Sequence, residues 1–207
     1  MGMSAVSDAR IEDATTLANM ADLRTEQARY AEALSLYEEA LALVRDTGAR
    51  AAEADMLDNM GIVQQRLGRY QRALELHQEG LEITRALGDR LDEGQTLGNM
   101  ANVHRQLGNY QTALDLYEQI LSIFRELGDR HSEAVTLNNI ANVYQLQGRY
   151  EEALKLYEES LEPKRELGDL RDVAQTLGNI GVLHEAQGRY EAALGAYERS
   201  LAMKREL

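Results

Sequence analysis

Histidine is the residue type in this chain that would most readily carry catalysis or bind a metal ion. The four histidines are His77, His104, His131 and His184, and the chain has no cysteine. His104 and His184 occupy the same position in a period of 40 residues, two periods apart. If each period adds one stacked helix pair, about 20 Å separates the two imidazoles. They cannot share a metal ion. No glycine-rich stretch forms a phosphate-binding loop, and most carboxylates lie on solvated helix faces, where they do no acid or base work. We therefore expect no catalytic residue, no metal site and no cofactor, and a protein that is not an enzyme.

Asparagine gives the stronger chemical signal, because it recurs once in every period. Asparagine is a mediocre helix former, so its repeated use inside a helix needs a reason. Its side chain offers both a donor and an acceptor, and can therefore bind a peptide main chain without reading the peptide sequence. The alternative is that these side chains bond the backbone of a neighbouring helix and hold the stack together. The series is Asn19, Asn59, Asn99, Asn139 and Asn179.

A helical wheel places further polar residues beside this series, on the side of each first helix that faces neither its partner helix nor the next repeat. An extended ligand rises about 3.3 Å per residue, so stacked helices about 10 Å apart would meet it every third residue. The predicted peptide-binding residues are Asn19, Asp55, Asn59, Gln95, Asn99, Asn102, Arg105, Asn138, Asn139, Asn142, Gln145 and Asn179.

Charge along this surface predicts the orientation of a ligand. Asp22, Asp55 and Asp58 make the first two repeats acidic, whereas Arg66 and Arg105 make the middle more basic. We therefore expect a peptide to place a basic segment near repeats one and two.

The helices that position these residues can be read from the third repeat. Gly88, Gly108 and Gly128 divide it into two segments. Apolar residues three and four apart in each segment predict one helix at about 91–107 and another at about 110–126. Connections of two or three residues predict antiparallel packing. Ala28 stands where the other repeats have glycine, and a left-handed conformation should cost it about 1 kcal/mol.

An internal repeat of this length predicts an array rather than a globule. Each hairpin leaves apolar residues such as Val63 and Val103 that only a neighbouring repeat can cover. We expect one array over residues 1–207, with repeats at about 9–48, 49–88, 89–128, 129–168 and 169–207. Pro163 falls inside the second helix of repeat four, where we expect a kink or an altered stacking angle.

The repeat resembles the tetratricopeptide repeat (TPR) family. The residues that carry the resemblance in repeat three are Leu97, Met100, Ala101, His104, Ala113 and Tyr117. The departures are a leucine at the usual tryptophan position, an arginine at the usual terminal proline, and 40 residues rather than about 34. The longer repeat is similar to that of spindle-orientation adaptors and of sensor regions in bacterial signalling proteins.

The resemblance implies an all-α fold, a right-handed α-solenoid of five antiparallel helix-turn-helix repeats. It also implies a protein-protein interaction scaffold or adaptor that binds an extended peptide or partner segment in a concave groove, where the matching asparagine contacts peptide backbone in those relatives. The family's chaperone-tail variety clamps a terminal carboxylate with paired lysines, which this surface lacks.

Composition limits the partners further. The formal charge is −13, and an acidic surface repels phosphate backbones, so we expect neither nucleic acid nor membrane as a partner. The absence of cysteine fits a cytoplasmic location. Two alternatives stay open. Leu201 with Val182 or Leu183 would form an uncapped C-terminal end that supports a homo-oligomer, or the chain is a regulatory segment of a larger signalling protein.

Overall fold

The computed structural model describes residues 2–205, and the side chains of residues 8–205. This range contains ten α-helices and no strand, which confirms the predicted all-α class. The helices are α1 (Gly2–Glu26), α2 (Tyr30–Thr47), α3 (Arg50–Arg66), α4 (Tyr70–Leu87), α5 (Arg90–Gln106), α6 (Tyr110–Leu127), α7 (Arg130–Leu146), α8 (Tyr150–Glu166), α9 (Leu170–Ala186) and α10 (Tyr190–Arg205). The two helices predicted for repeat three, α5 and α6, agree with the expectation to within one residue at each end. The predicted last boundary, Leu207, lies outside the described residues.

The helices form two compact units that divide after Gly108. In the first unit, α1 packs on α2 and α3 on α4, while α2 also contacts α3 and α4 contacts α5. In the second unit, α7 packs on α8 and α9 on α10, while α6 contacts α7 and α8 contacts α9. Consecutive helices therefore pack in each unit, as short connections require. A single array over residues 1–207 stays a prediction.

Small residues allow each hairpin to close tightly. Ala21 and Ala33 are fully buried in the core of the first unit, and Ala141 and Ala153 in the core of the second. Large apolar residues such as Leu57 belong to the same core. Protein cores are packed about as densely as organic crystals, so a truncated side chain leaves a cavity. Replacing such a leucine by alanine should therefore lower the free energy of unfolding by about 2–5 kcal/mol.

Ala28 adopts the left-handed conformation, with φ +57°, and is the one residue other than glycine with positive φ among those described. Gly68 has φ +73° at the equivalent place. Glycine enters this region without a Cβ clash, whereas alanine does not. The expected strain at Ala28 is therefore present.

An ion-pair clasp recurs where a second helix of one repeat meets the first helix of the next. An arginine Nε of the second helix lies 2.7–2.8 Å from a glutamate Oε1 in the first turn of the next helix. The pairs are Arg45–Glu53, Arg85–Glu93 and Arg125–Glu133. Burial opposes ionisation of Glu93, but hydrogen bonds from Arg85 and Arg90 hold the pKa of Glu93 below its usual value. The clasp is missing between α8 and α9, where Val173 replaces the glutamate.

Pro163 is buried near the end of α8. This helix ends at Glu166, one residue earlier than α4 and α6 do in their own repeats. The carbonyl of Pro163 accepts a hydrogen bond from the Leu167 amide at 3.1 Å, so the last turn remains closed. The predicted kink or altered stacking angle stays a prediction.

Candidate functional site

The residues predicted to bind a peptide lie on the first helix of each hairpin, and each unit is described by itself. The amide face of the first unit lies on α1, α3 and α5 and consists of Asn19, Asp55, Asn59, Gln95, Asn99, Asn102 and Arg105. The amide face of the second unit lies on α7 and α9 and consists of Asn138, Asn139, Asn142, Gln145 and Asn179.

Most of the asparagine series has no hydrogen bond from its side chain to the described part of the chain. Asn59, Asn139 and Asn179 are half-buried, and Asn19 is exposed. Asn99 is the exception, because its Nδ2 donates to Asp58 Oδ2 at 2.6 Å. Asn99 therefore joins α5 to α3 through a side chain, rather than through the helix backbone that the stacking alternative invoked.

Asp58, His77 and Asn99 form a partly buried polar group that the sequence did not predict. His77 Nδ1 lies 2.5 Å from Asp58 Oδ1, and the imidazole is fully buried. A Cβ on Gly61 would collide with this ring, so the glycine makes room for it. A carboxylate-imidazole pair suits general-base chemistry, but His77 Nε2 is buried without a partner and cannot reach a substrate. The group joins α3, α4 and α5.

Tyrosines take the place of His77 in the other repeats and use several of the predicted residues. The Tyr37 hydroxyl donates to Asp22 Oδ1, and burial, then this bond, raises the pKa of Tyr37. The Tyr157 hydroxyl lies 2.6 Å from Asn142 Oδ1 and 2.7 Å from Gln145 Oε1. A hydroxyl donates only one hydrogen bond at a time, so the two amides share it.

An acidic patch of Asp55, Asp89 and Asp92 lies in the first unit. Asp55 keeps part of its side chain in solvent and has no ion pair in the described range. Desolvation, and then the negative charges of Asp92, Asp58 and Asp89, raise the pKa of the Asp55 carboxyl. Asp22 and Asp58, the other two acids expected to attract a ligand, accept hydrogen bonds within the fold. Asp55 is thus the member of that trio with its carboxylate available.

Asn138 is buried and belongs to a polar chain that enters the core between α8 and α9. Lys164 Nζ donates to Thr176 Oγ1 at 2.8 Å, and Thr176 Oγ1 lies 3.1 Å from Asn138 Oδ1. Lys164 is only 2% exposed. Burial lowers the pKa of Lys164, although the nearby Asp172 and Asp169 oppose this shift. The same position holds Val44, Thr84 or Phe124 in the first three repeats and Lys204 in the fifth, so the periodic pattern gave no consistent signal for it.

One trio of side chains in the described range could contribute ligands to a metal ion. One ligand atom each of His131, Asp169 and Asp172 lies within 4.8 Å of the others. Asp169, however, caps α9 by accepting from the Asp172 amide at 3.1 Å. The positive end of a helix dipole disfavours a cation at this place. The three side chains are close together because Asp169 caps α9 beside His131, and this arrangement does not favour a metal site.

Comparisons with known proteins agree on the fold. The family model of the tetratricopeptide repeat matches residues 12–86, 92–166 and 132–206. The crystal structure of BtubC from P. vanneervenii is similar with a TM-score of 0.80 and 22% identity, over 98% of this chain and 89% of that one. No curated protein sequence matches the chain.

Two Rap proteins are also similar in structure. The Rap protein complexed with Competence and Sporulation Factor gives a TM-score of 0.81 at 16% identity, over 94% of this chain and 54% of that one. The Rap conjugation gene regulator of plasmid pLS20, in complex with the Phr* peptide, gives 0.74 at 18% identity, over 90% and 52%. The chain thus spans about half the length of these two proteins. Between residues 2 and 205, no helix combines the length and the apolar character that a membrane crossing needs.

Proposed function

Because the chain belongs to the tetratricopeptide repeat family, we propose that it is a non-enzymatic scaffold for protein-protein interaction. Its amide faces bind extended segments of partner proteins through the peptide main chain. We place this role in the cytoplasm, where an adaptor, or a regulatory segment of a larger signalling protein, would meet such partners.

The observation that carries this proposal is the set of unpaired carboxamides. Asn59, Asn139 and Asn179 are half-buried, and none has a side-chain hydrogen bond within the described residues. Their amide groups remain accessible to water and are not used by the fold, so a ligand's backbone groups could replace that water and bind them. Asn139 and Asn179 lie on α7 and α9 of one unit, so one extended segment could meet both. The Rap regulator in complex with a peptide supports the proposal by likeness of fold.

The acidic patch gives the first unit a preference for positive charge. Asp55, Asp89 and Asp92 repel one another, which raises the pKa values of Asp55 and Asp92 after the effect of desolvation. A lysine or arginine of the ligand would relieve this repulsion. We therefore propose that the segment bound by the first unit is basic.

The experiment uses peptides selected from a random displayed library against the intact chain. We expect Asn139→Ala combined with Asn179→Ala to weaken binding of the selected peptides about tenfold, the effect of losing two modest hydrogen bonds. Gln119→Ala is the control, because Gln119 is exposed and bonds only its own helix. Unchanged affinity in the double variant, with unchanged thermal stability, would refute the proposal for the second unit.

The charge preference is tested with the same library. Peptides that lose affinity for Asp55→Asn are expected to be rich in lysine and arginine, and their affinity should fall with salt. Selection of neutral or acidic peptides that Asp55→Asn leaves unaffected would contradict this part of the proposal.

Self-assembly is a second candidate, favoured by exposed apolar side chains in a cleft on α9 and α10 that Asn179 also lines. The cleft has a volume of about 720 Å³ and includes Val182 and Leu201, which are 47% and 48% exposed. Leu161, at the position of Leu201 one repeat earlier, is buried. Light scattering over a concentration series tests this candidate. We expect Leu201→Glu to lower any apparent mass above that of one chain, and a constant mass of one chain would exclude assembly.

A further inference from the structure

A cleft between α8 and α10 shares no residue with either amide face. Its volume is about 430 Å³, and α9 forms its floor. The lining residues are Glu158, Leu161, Arg165, Ile180, His184, Ala192, Gly195, Ala196 and Arg199. We propose that this cleft binds the phosphate group of a phosphorylated side chain on a partner protein.

The repeat itself shows what Arg165 lacks. Arg45, at the same position in the first repeat, contacts two carboxylates, with its Nε 2.7 Å from Glu53 and its Nη2 2.5 Å from Glu79. The residues at those two positions relative to Arg165 are Val173 and Arg199. Compared with the surroundings of Arg45, the cleft between α8 and α10 therefore lacks both carboxylates and has a second guanidinium in place of one of them.

The two arginines of the cleft have little compensation. Arg165 Nη1 lies 3.7 Å from Glu162 Oε2, and the Glu162 side chain is 73% exposed. An ion pair of this kind contributes little. Arg199 has no ion pair within the described residues, although Glu158 lies at the same cleft. In a chain with a formal charge of −13, two arginines without buried carboxylates mark a local site for an anion.

The cleft is also enlarged at the side of α10. The equivalent cleft between α6 and α8 has a volume of about 350 Å³ and is lined by Glu152, Lys155 and Leu156. In the cleft between α8 and α10, the equivalent positions hold the smaller residues Ala192, Gly195 and Ala196. A Cβ added to Gly195 would meet nothing within 4 Å. These truncations leave space beside the two guanidiniums.

The chemistry of the lining selects a phosphorylated side chain over a free phosphate ion. Guanidinium groups bind phosphate through paired hydrogen bonds, which suits Arg165 and Arg199. Leu161, Ile180 and Ala196 provide apolar surface that an ion alone would not use but the carbon chain of a residue would. His184 also lines the cleft, but its Nδ1 is buried, so the phosphate contacts fall to the two arginines.

The experiment measures binding of a peptide pool with a central phosphoserine to the intact chain by fluorescence anisotropy. We expect Arg199→Glu to reduce affinity at least about tenfold, since it removes a charge-assisted contact. It should keep the fold, because glutamate at this position pairs with arginine in the first repeat. Arg205→Glu is the control, since it makes the same change of charge on α10 and does not line the cleft. Glu158→Gln should tighten binding by removing the one carboxylate of the lining.

Three outcomes would overturn the proposal. The first is equal binding of the pool and its unphosphorylated counterpart, and the second is equal loss in Arg199→Glu and Arg205→Glu. The third is that inorganic phosphate binds as tightly as the pool, which would identify a site for the free ion instead. The double variant of Asn139 and Asn179 should bind the phosphoserine pool normally, so failure of the amide-face proposal is distinguishable from failure of this one.

Discussion

Lys164 is unusual because a lysine side chain, which is normally charged and exposed, is buried in the core. Its amine is buried with one hydroxyl partner, Thr176 Oγ1, and burial lowers its pKa. We predict that Lys164→Met stabilises the chain at neutral pH by about 1–3 kcal/mol, because an apolar side chain of similar length avoids the desolvation of a charge. Thermal or urea unfolding followed by circular dichroism measures the change.

The pH dependence separates this explanation from simple packing. The unfolded chain binds the lysine proton more tightly than the folded chain, so the cost is complete below the lowered folded-state pKa. It disappears as pH rises to the ordinary value of 10.5. The advantage of Lys164→Met should therefore shrink toward that pH. Lys155→Met, an exposed lysine of α8, should show no such trend. A less stable Lys164→Met would mean that the bond to Thr176 outweighs desolvation.

Ala28 offers a prediction of backbone strain. Its φ of +57° lies in the left-handed region, which costs a residue with a Cβ about 1–2 kcal/mol, while glycine loses about 0.5–1 kcal/mol of chain entropy. Ala28→Gly should therefore raise the free energy of unfolding by about 0.5–1 kcal/mol. Gly68→Ala should lower it by a similar amount, and equal urea midpoints for all three proteins would contradict the argument.

At the scale of the element, two glycines of neighbouring helices should respond oppositely to alanine. A Cβ on Gly181 of α9 would overlap the ring of Tyr197, whereas one on Gly195 of α10 meets nothing within 4 Å. We predict that Gly181→Ala destabilises by about 1–3 kcal/mol through overpacking. Gly195→Ala should stabilise by up to about 1 kcal/mol through helix propensity. Unfolding midpoints that move in the same direction would show that the ring shifts freely.

Periodicity explains why the elements were predictable and parts of the site were not. A position that repeats every 40 residues, such as Gly108 or Ala113, predicts helix ends and core contacts because every repeat must solve the same packing problem. Residues that break the period carry no such signal. His77 is hydrogen-bonded to Asp58, and Lys164 to Thr176. Both contacts depend on how the helices pack, which the sequence pattern does not give. Asn99 follows the period but bonds Asp58. The other repeats have no aspartate at the position of Asp58, so the other asparagines of the series have no equivalent partner.

At the scale of the whole molecule, net charge decides how salt acts on stability. The chain has 35 acidic and 22 basic side chains, so at least 13 carboxylates lack a basic counterpart. Ion pairs such as Arg72–Glu75, whose side chains are 53% and 49% exposed, contribute little. The screening length falls from about 30 Å at 0.01 M salt to about 8 Å at 0.15 M. At low salt, repulsion among the acids should therefore outweigh the attraction within the exposed ion pairs.

We predict that Tm rises with sodium chloride over that range and that Asp55→Asn raises Tm most at the low end. Asp55 should make Tm sensitive to salt, because the negative charges of Asp92, Asp58 and Asp89 repel its carboxylate. Choline chloride should reproduce the effect if screening rather than cation binding is responsible. A Tm that falls with either salt would mean that clasps such as Arg85–Glu93, whose glutamate is buried, outweigh the repulsion of the whole chain.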